Sequence, residues 1–209
     1  MTWMTPHTWR AVLAAAAIAP ACAARMHAQD PEFTSIGAYA ISIPLGDTHR
    51  YVGVPSWMGV TWDGLWPLRN RTWAGIELGL NDFFDQDNRT TNFPSGSATG
   101  FQVRDLLVMS VMGTGRWFAL KSSHGPYLGL GVGGSYVSQF YQLGPISPFN
   151  RTGVHLTAAP EVGYVAPFLT DIDAVVSIRL ATPVSAGDYL GGGRRSFRFM
   201  MLSFGLAER

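Results

Sequence analysis

The sequence predicts an all-β fold: an eight-stranded antiparallel up-and-down transmembrane β-barrel, preceded by a removable N-terminal segment. Three observations lead there. Only 14% of the 209 residues are charged while 47% are hydrophobic, whereas soluble domains carry roughly 25% charged residues. The region after the N-terminal segment contains no apolar run near the roughly 20 residues that a membrane-spanning helix needs. From residue 33 onward hydrophobicity alternates with period two, and no helical period persists. A chain that avoids water without spanning helices must pair its backbone groups between strands and close on itself, because lipid offers those groups no partner. The 24 glycines and 12% aromatic residues fit short strands, tight turns and interfacial rings.

Residues 1–23 read as a secretory signal peptide. Arg10 precedes an apolar run from Ala11 that closes on Ala21-Cys22-Ala23, the basic, apolar and small-residue order of such a leader. Cleavage falls after Ala23, with Ala28 as the alternative. Pro20 and the small-residue ending argue against a buried helix, and Ala19-Pro20-Ala21 lacks the leucine that usually precedes a lipoprotein cysteine. Cys22 is the only cysteine, so the mature chain is expected to have no disulfide and no thiol chemistry. Residues 24–32 form a short linker and 33–209 the barrel domain. The net charge of +1 gives no reason to invoke nucleic acid. Lys121 is the only lysine among 15 basic residues, which leaves fourteen arginines. Arginine suits bidentate pairing with carboxylates or lipid phosphates, and a biased genome gives the same count.

Alternation is clearest between Tyr127 and Tyr141, where Leu128, Leu130, Val132, Tyr136 and Phe140 oppose Gly129, Gly131, Gly133, Ser135 and Gln139. In 152–166, Val154, Leu156, Ala158, Val162 and Tyr164 oppose His155, Thr157, Glu161 and Gly163. The same split runs through 72–81, with Ile76 and Leu78 against Glu77, and through 173–182, with Val176 and Ile178 against Arg179. The polar face is rich in glycine and carries isolated charges, which suits a cramped lumen better than a solvated surface. Strands are expected at 33–44, 56–67, 72–82, 99–113, 126–141, 152–167, 172–184 and 195–207. The first and last of these have ambiguous facing: Tyr39, Ile41 and Ile43 compete with Ile36, Ala38 and Ala40, and Phe197 and Phe199 compete with Leu202, Phe204 and Leu206. Long polar connections at 45–55, 83–98, 142–151 and 185–194 alternate with shorter links at 68–71, 114–125 and 168–171. Long outer loops and short periplasmic turns have this arrangement, with both ends of the barrel in the periplasm.

Several motifs have a bland reading that is preferred. Gly129-Leu-Gly-Val-Gly-Gly134 formally matches a dinucleotide fingerprint, but that motif must open a helix, and here it lies inside an alternating strand. Asn-Arg-Thr at 70–72, 88–90 and 150–152 matches a glycosylation sequon and is read as turn asparagine before strand threonine. Asp82, Asp85 and Asp87 could hold a cation, but the segment lacks the glycine and closing glutamate of a calcium hand. A solvated loop is the reading adopted.

Tyr127-Leu-Gly-Leu-Gly-Val-Gly after Gly-Pro, Ala159-Pro-Glu-Val-Gly-Tyr, and the closing Phe204-Gly-Leu resemble the bacterial outer-membrane β-barrel domain family, the small eight-stranded barrels around the OmpX and OmpA types. The resemblance covers nearly all of residues 31–209. It implies residence in the outer membrane of a Gram-negative-type bacterium, with outer-membrane lipid, lipopolysaccharide and the barrel-assembly machinery as partners. The family usually ends on an aromatic residue read by that machinery, whereas this chain ends Ala207-Glu208-Arg209. That either shifts the signal inward to Phe204 or weakens recognition.

Asp63, Glu77, His155, Glu161 and Arg179, with Arg104 as a further member, form the inward-facing polar set. A catalytic or proton-carrying site would use such residues, and so would a lumenal salt-bridge network that offsets the cost of buried charge. The network is the reading adopted, and no catalytic, cofactor or metal residue is nominated. Trp57, Trp73, Tyr127 and Tyr141 are placed in the same lumen. Lipid A-modifying barrel enzymes are the rival class. Their deacylases share a His-x-Ser-Asn stretch, whereas His155 is followed by Leu156 and Thr157. A narrow channel is the third reading. The expected function is a non-enzymatic barrel whose outer loops make surface contacts.

Overall fold

The computed structural model describes residues 33–69, 71–93, 96–120, 124–144, 149–183, 187–188, 194–195 and 197–208. The leader, the linker and Cys22 lie outside the described residues, as do Asn70 and Lys121. The barrel strands are β1 (Thr34–Leu45), β2 (Ser56–Arg69), β3 (Thr72–Phe93), β4 (Gly96–Phe118), β5 (Gly125–Leu143), β6 (Phe149–Pro167), β7 (Ile172–Pro183) and β10 (Arg198–Glu208). A short helix α1 (Asp47–Tyr51) follows β1, and a small ladder of β8 (Gly187–Asp188) with β9 (Arg194–Arg195) precedes β10. The eight long strands close in the order β1-β10-β7-β6-β5-β4-β3-β2, each antiparallel to its neighbours, which is the expected up-and-down barrel.

Alternation works as the sequence implies. Leu128, Leu130 and Val132 of β5 stand outside at 57%, 52% and 47% exposure, while Tyr127 and Ser135 are buried inside. The ambiguity in β1 and β10 is resolved by register. Tyr39 pairs with Phe204 and Ile41 with Leu202, all facing out, while Ile36, Ala40, Phe199 and Met201 face in. Trp57 departs from expectation and stands outside, 64% exposed. The β1–β2 register shifts between Ala40 and Ser42, and such a bulge reverses which face the next residue takes. The β6–β7 ladder skips Ala159 and Pro160 between its flanking pairs, since proline has no N–H to give.

Two expected boundaries are corrected. The segment 83–98 is not a loop: β3 and β4 pair continuously from Thr72↔Trp117 to Phe93↔Gly96. Beyond Asp82 and Gln102 neither strand has another ladder partner among the described residues. Gln102 lies opposite Asp87, so the ribbon leaves both neighbours only at Asn88, and the six residues from there to Phe93 carry it roughly 20 Å further. At the other end β4 continues to Phe118, so residues 114–118 belong to the barrel wall. The connection 45–55 also differs from a solvated loop. It carries α1 and folds inward, burying Thr48 and Val52.

The lumen is layered. Near the short turns Ile36, Leu65, Phe118, Tyr127, Val165, Val175 and Ala207 form one apolar cluster, with Trp73 packed against it. Toward the long loops Val52, Phe83, Leu106, Val108, Phe197, Phe199 and Met201 belong to a second. Between them lies a charged layer.

Candidate functional site

Strand alternation turns Asp63 (β2), Glu77 (β3), Arg116 (β4), Glu161 (β6) and Arg179 (β7) inward, and all are at most 5% exposed. Arg116 Nη2 donates to Asp63 Oδ2 at 2.6 Å and to Glu161 Oε1 at 3.2 Å. Arg179 Nη2 donates to Glu161 Oε2 at 2.7 Å, and its Nη1 donates to Glu77 Oε1. Tyr127 OH donates to Glu161 Oε1 at 2.6 Å, and the Arg116 guanidinium lies 5.0 Å from the Tyr127 ring centre. Glu161 is thus the hub, taking donors from β4, β5 and β7. Gly163 makes room for this arrangement: a Cβ there would sit 2.4 Å from the Tyr127 ring.

Of the residues expected in the lumen, Asp63, Glu77, Glu161 and Arg179 meet in this layer. Arg104 and His155 also face inward but lie toward the loop end, apart from it. Arg104 Nη1 donates to the Tyr51 carbonyl at 3.0 Å, and its guanidinium sits 5.8 Å from the Tyr141 ring centre. Asp85 Oδ2 accepts the Gly53 N–H at 3.0 Å, and Tyr51 OH donates to the Phe140 carbonyl at 2.8 Å. These bonds hold α1 across the mouth. Burial raises the Tyr51 hydroxyl pKa well above its ordinary value, with nearby Arg104 opposing it in part. The His155 ring packs edge-on to Phe197 at 5.4 Å.

Arg116 is the member that sequence reasoning missed, because the fourth strand was ended at residue 113. The available signal was parity: Thr114 and Arg116 continue the inward series of Ser110 and Met112, while Trp117 faces out. Asp82, Asp85 and Asp87 do not converge, because Asp82 faces the outer side of the wall and Asp85 the inner. Asp82 instead shares the outer face with Asp105, which lies diagonal to it across the β3–β4 ladder. Among the described residues no group of three or more His, Cys, Asp or Glu could hold a metal ion.

A closed eight-stranded barrel with an apolar outer wall, short turns at one end and charges sealed inside has the fold of the small outer-membrane barrels. The crystal structure of Ail, the attachment invasion locus protein of Yersinia pestis, in complex with the heparin analogue sucrose octasulfate, is similar to it. That likeness has a TM-score of 0.53 and 11% identity over 84% of this chain and 97% of Ail. The crystal structure of Neisserial surface protein A aligns with 84% of this chain and 94% of its own, at 12% identity and a TM-score of 0.46. At such identities the likeness is one of fold, and the first structure carries it. No protein-family model matches the sequence, and no curated protein matches it.

Proposed function

We propose that this chain is a non-enzymatic integral outer-membrane barrel that presents its β3–β4 hairpin for surface contact. The observation that carries this reading is the pairing of two features: an outer wall of exposed apolar residues and a hairpin that continues beyond it. Leu78, Val111, Leu130, Leu156, Val162, Val176, Ile178 and Leu206 all stand exposed on the wall, an arrangement that costs free energy in water and none in hydrocarbon. Above this band the outward residues of β3 are Gln86, Asn88 and Thr90, set against Val103, Phe101 and Thr99 of β4, with Thr90 and Thr99 hydroxyls 2.7 Å apart. Among the described residues, the hairpin edges above Asp87 have no ladder partner beyond the Gly144 N–H on the Phe101 carbonyl, and such edges suit a partner strand or water.

In this reading residues 1–23 direct secretion and are removed, and the barrel-assembly machinery inserts residues 33–209. Outer-membrane lipid and lipopolysaccharide then surround the wall. The charged layer is a structural plug, because its groups pair with one another and apolar clusters flank it on both sides. Its hydroxyl–carboxylate pair, Tyr127 on Glu161, is buried in the lumen, away from the lipid-facing wall, which separates this reading from a lipid A-modifying enzyme.

Topology is testable with single cysteines, since the processed chain has none of its own. Thr90→Cys should react with a bulky, membrane-impermeant PEG-maleimide on intact cells. Ala119→Cys, at a short turn, should react only after the outer membrane is opened. Equal labelling at both positions, or recovery of the chain in the soluble fraction, contradicts the proposal.

A further inference from the structure

We propose that the lumen's charged layer binds one proton, shared between Asp63 and Glu77 and exchanged with water through the pocket beside Arg116. Three carboxylates, Asp63, Glu77 and Glu161, face two guanidinium groups, Arg116 and Arg179, and all five are buried. Fully ionised, the layer would hold one uncompensated negative charge, which a dry interior disfavours strongly.

Geometry shows where the proton belongs. Asp63 and Glu77 are directly opposite in the β2–β3 register and face the same way, which places their Cβ atoms roughly 4.5–5.5 Å apart. Two carboxylates so close resist double ionisation and settle by sharing a proton. Each commits one oxygen to an arginine: Asp63 Oδ2 to Arg116 and Glu77 Oε1 to Arg179. The other oxygens, Asp63 Oδ1 and Glu77 Oε2, are buried without a hydrogen-bond partner. So are the hydroxyl oxygen of Thr114, an inward residue on β4 diagonal to Glu77, and on the donor side Arg116 Nε and Nη1 and Arg179 Nε. An added proton turns one of these acceptors into a donor. Glu161 is the carboxylate that remains ionised, because both arginines and Tyr127 donate to it.

The other walls bring no competing charge. Among the described residues the titratable groups around the pair are Arg116, Tyr127, Glu161 and Arg179, with the His124–Asp173 pair at the turn end, and the described inward residues of β1 and β10 include none. Metal is disfavoured, since the described carboxylates form no group suited to an ion. The way in is a pocket of about 30 Å³ at the turn end, lined by Thr34, Trp73, Arg116 and Asp173 among others. On binding, hydronium gives its proton to a carboxylate, leaving a neutral carboxylic acid and water; release is the reverse.

Infrared spectroscopy of the folded barrel tests this through the C=O stretch of a protonated carboxyl. An Asp105→Asn background removes the contribution of the Asp82–Asp105 pair. At neutral pH this background should show the band, and it should disappear reversibly as pH rises. Adding Glu77→Gln or Asp63→Asn should abolish the band, while adding Asp173→Asn should leave it. Absence of the band in the Asp105→Asn protein overturns the proposal whether or not the further variants fold. Persistence in both Glu77→Gln and Asp63→Asn overturns it too, as does a band that appears only when sodium is withdrawn.

Discussion

Replacing Arg179 with alanine is expected to lower the stability of the folded barrel by about 3–5 kcal/mol, the usual cost of removing one member of a buried ion pair. Arg179 holds Glu161 Oε2 at 2.7 Å and also donates to Glu77 Oε1. Truncation leaves both carboxylates facing an apolar cavity, and Arg116 alone must balance the layer. The midpoint of urea unfolding in lipid vesicles measures the effect, and an unchanged midpoint would remove Arg179 from the network. The same preparation answers the channel question. An eight-stranded barrel has an interior that side chains just fill, and here two apolar clusters flank the charged layer. The unaltered protein should show no steady conductance in planar bilayers, while the alanine variant should show at most brief, small openings. Large steady currents from the unaltered protein contradict a plugged lumen.

Arginine in place of Leu130 or Ile178 should destabilise the membrane-inserted state by roughly 2–4 kcal/mol, the cost of that side chain at the midplane of a lipid-facing wall. Both residues face outward, Leu130 at 52% and Ile178 at 46% exposure, at the level of the charged layer inside. The penalty should shrink in detergent micelles, whose surfaces deform easily around a charge. Gly133→Arg provides the contrast. A Cβ at Gly133 would lie 2.1 Å from the Val111 carbonyl oxygen and 2.6 Å from the Met112 Cα. That collision is with backbone and is the same in any solvent. If Leu130→Arg and Ile178→Arg insert as well as the parent, either the wall is not in lipid or its facing is inverted.

The sequence made the walls legible wherever one face is apolar and the other is glycine or polar, as in β5, β6 and β7. It does not decide the facing of β1, because apolar residues stand at both parities, Ile36, Ala38 and Ala40 against Tyr39, Ile41 and Ile43. What decides it is register, with Tyr39 set against Phe204 across the β1–β10 seam. The hairpin past Phe84 reads as loop because its buried inward residue, Asp85, is itself polar and its outward residues Gln86, Asn88 and Thr90 are polar too, so no hydrophobic period marks the strand. Arg116 was lost for a related reason: Gly113 and Gly115 fall on outward positions, where alternation normally shows large apolar residues. Val52 and Thr48, buried by the inward fold of the first connection, sit in a polar stretch whose composition resembles any solvated loop. The meeting of Asp63, Glu77, Glu161 and Arg179 depends on strand tilt and shear, which determine depth in the lumen. Spacing along the chain determines only which face a residue takes, so the inward set could be named before its partners could.

The central claim is that the strands form a closed barrel stable in lipid. Closure leaves no free edge at which the wall can begin to open, so the folded form should survive dodecyl sulfate until it is heated. Migration of the mature chain in a dodecyl sulfate gel, with and without boiling, after folding into lipid vesicles tests this most directly. The unheated sample should show a compact, faster band that shifts to the unfolded position on boiling. Identical migration of the two samples would contradict it.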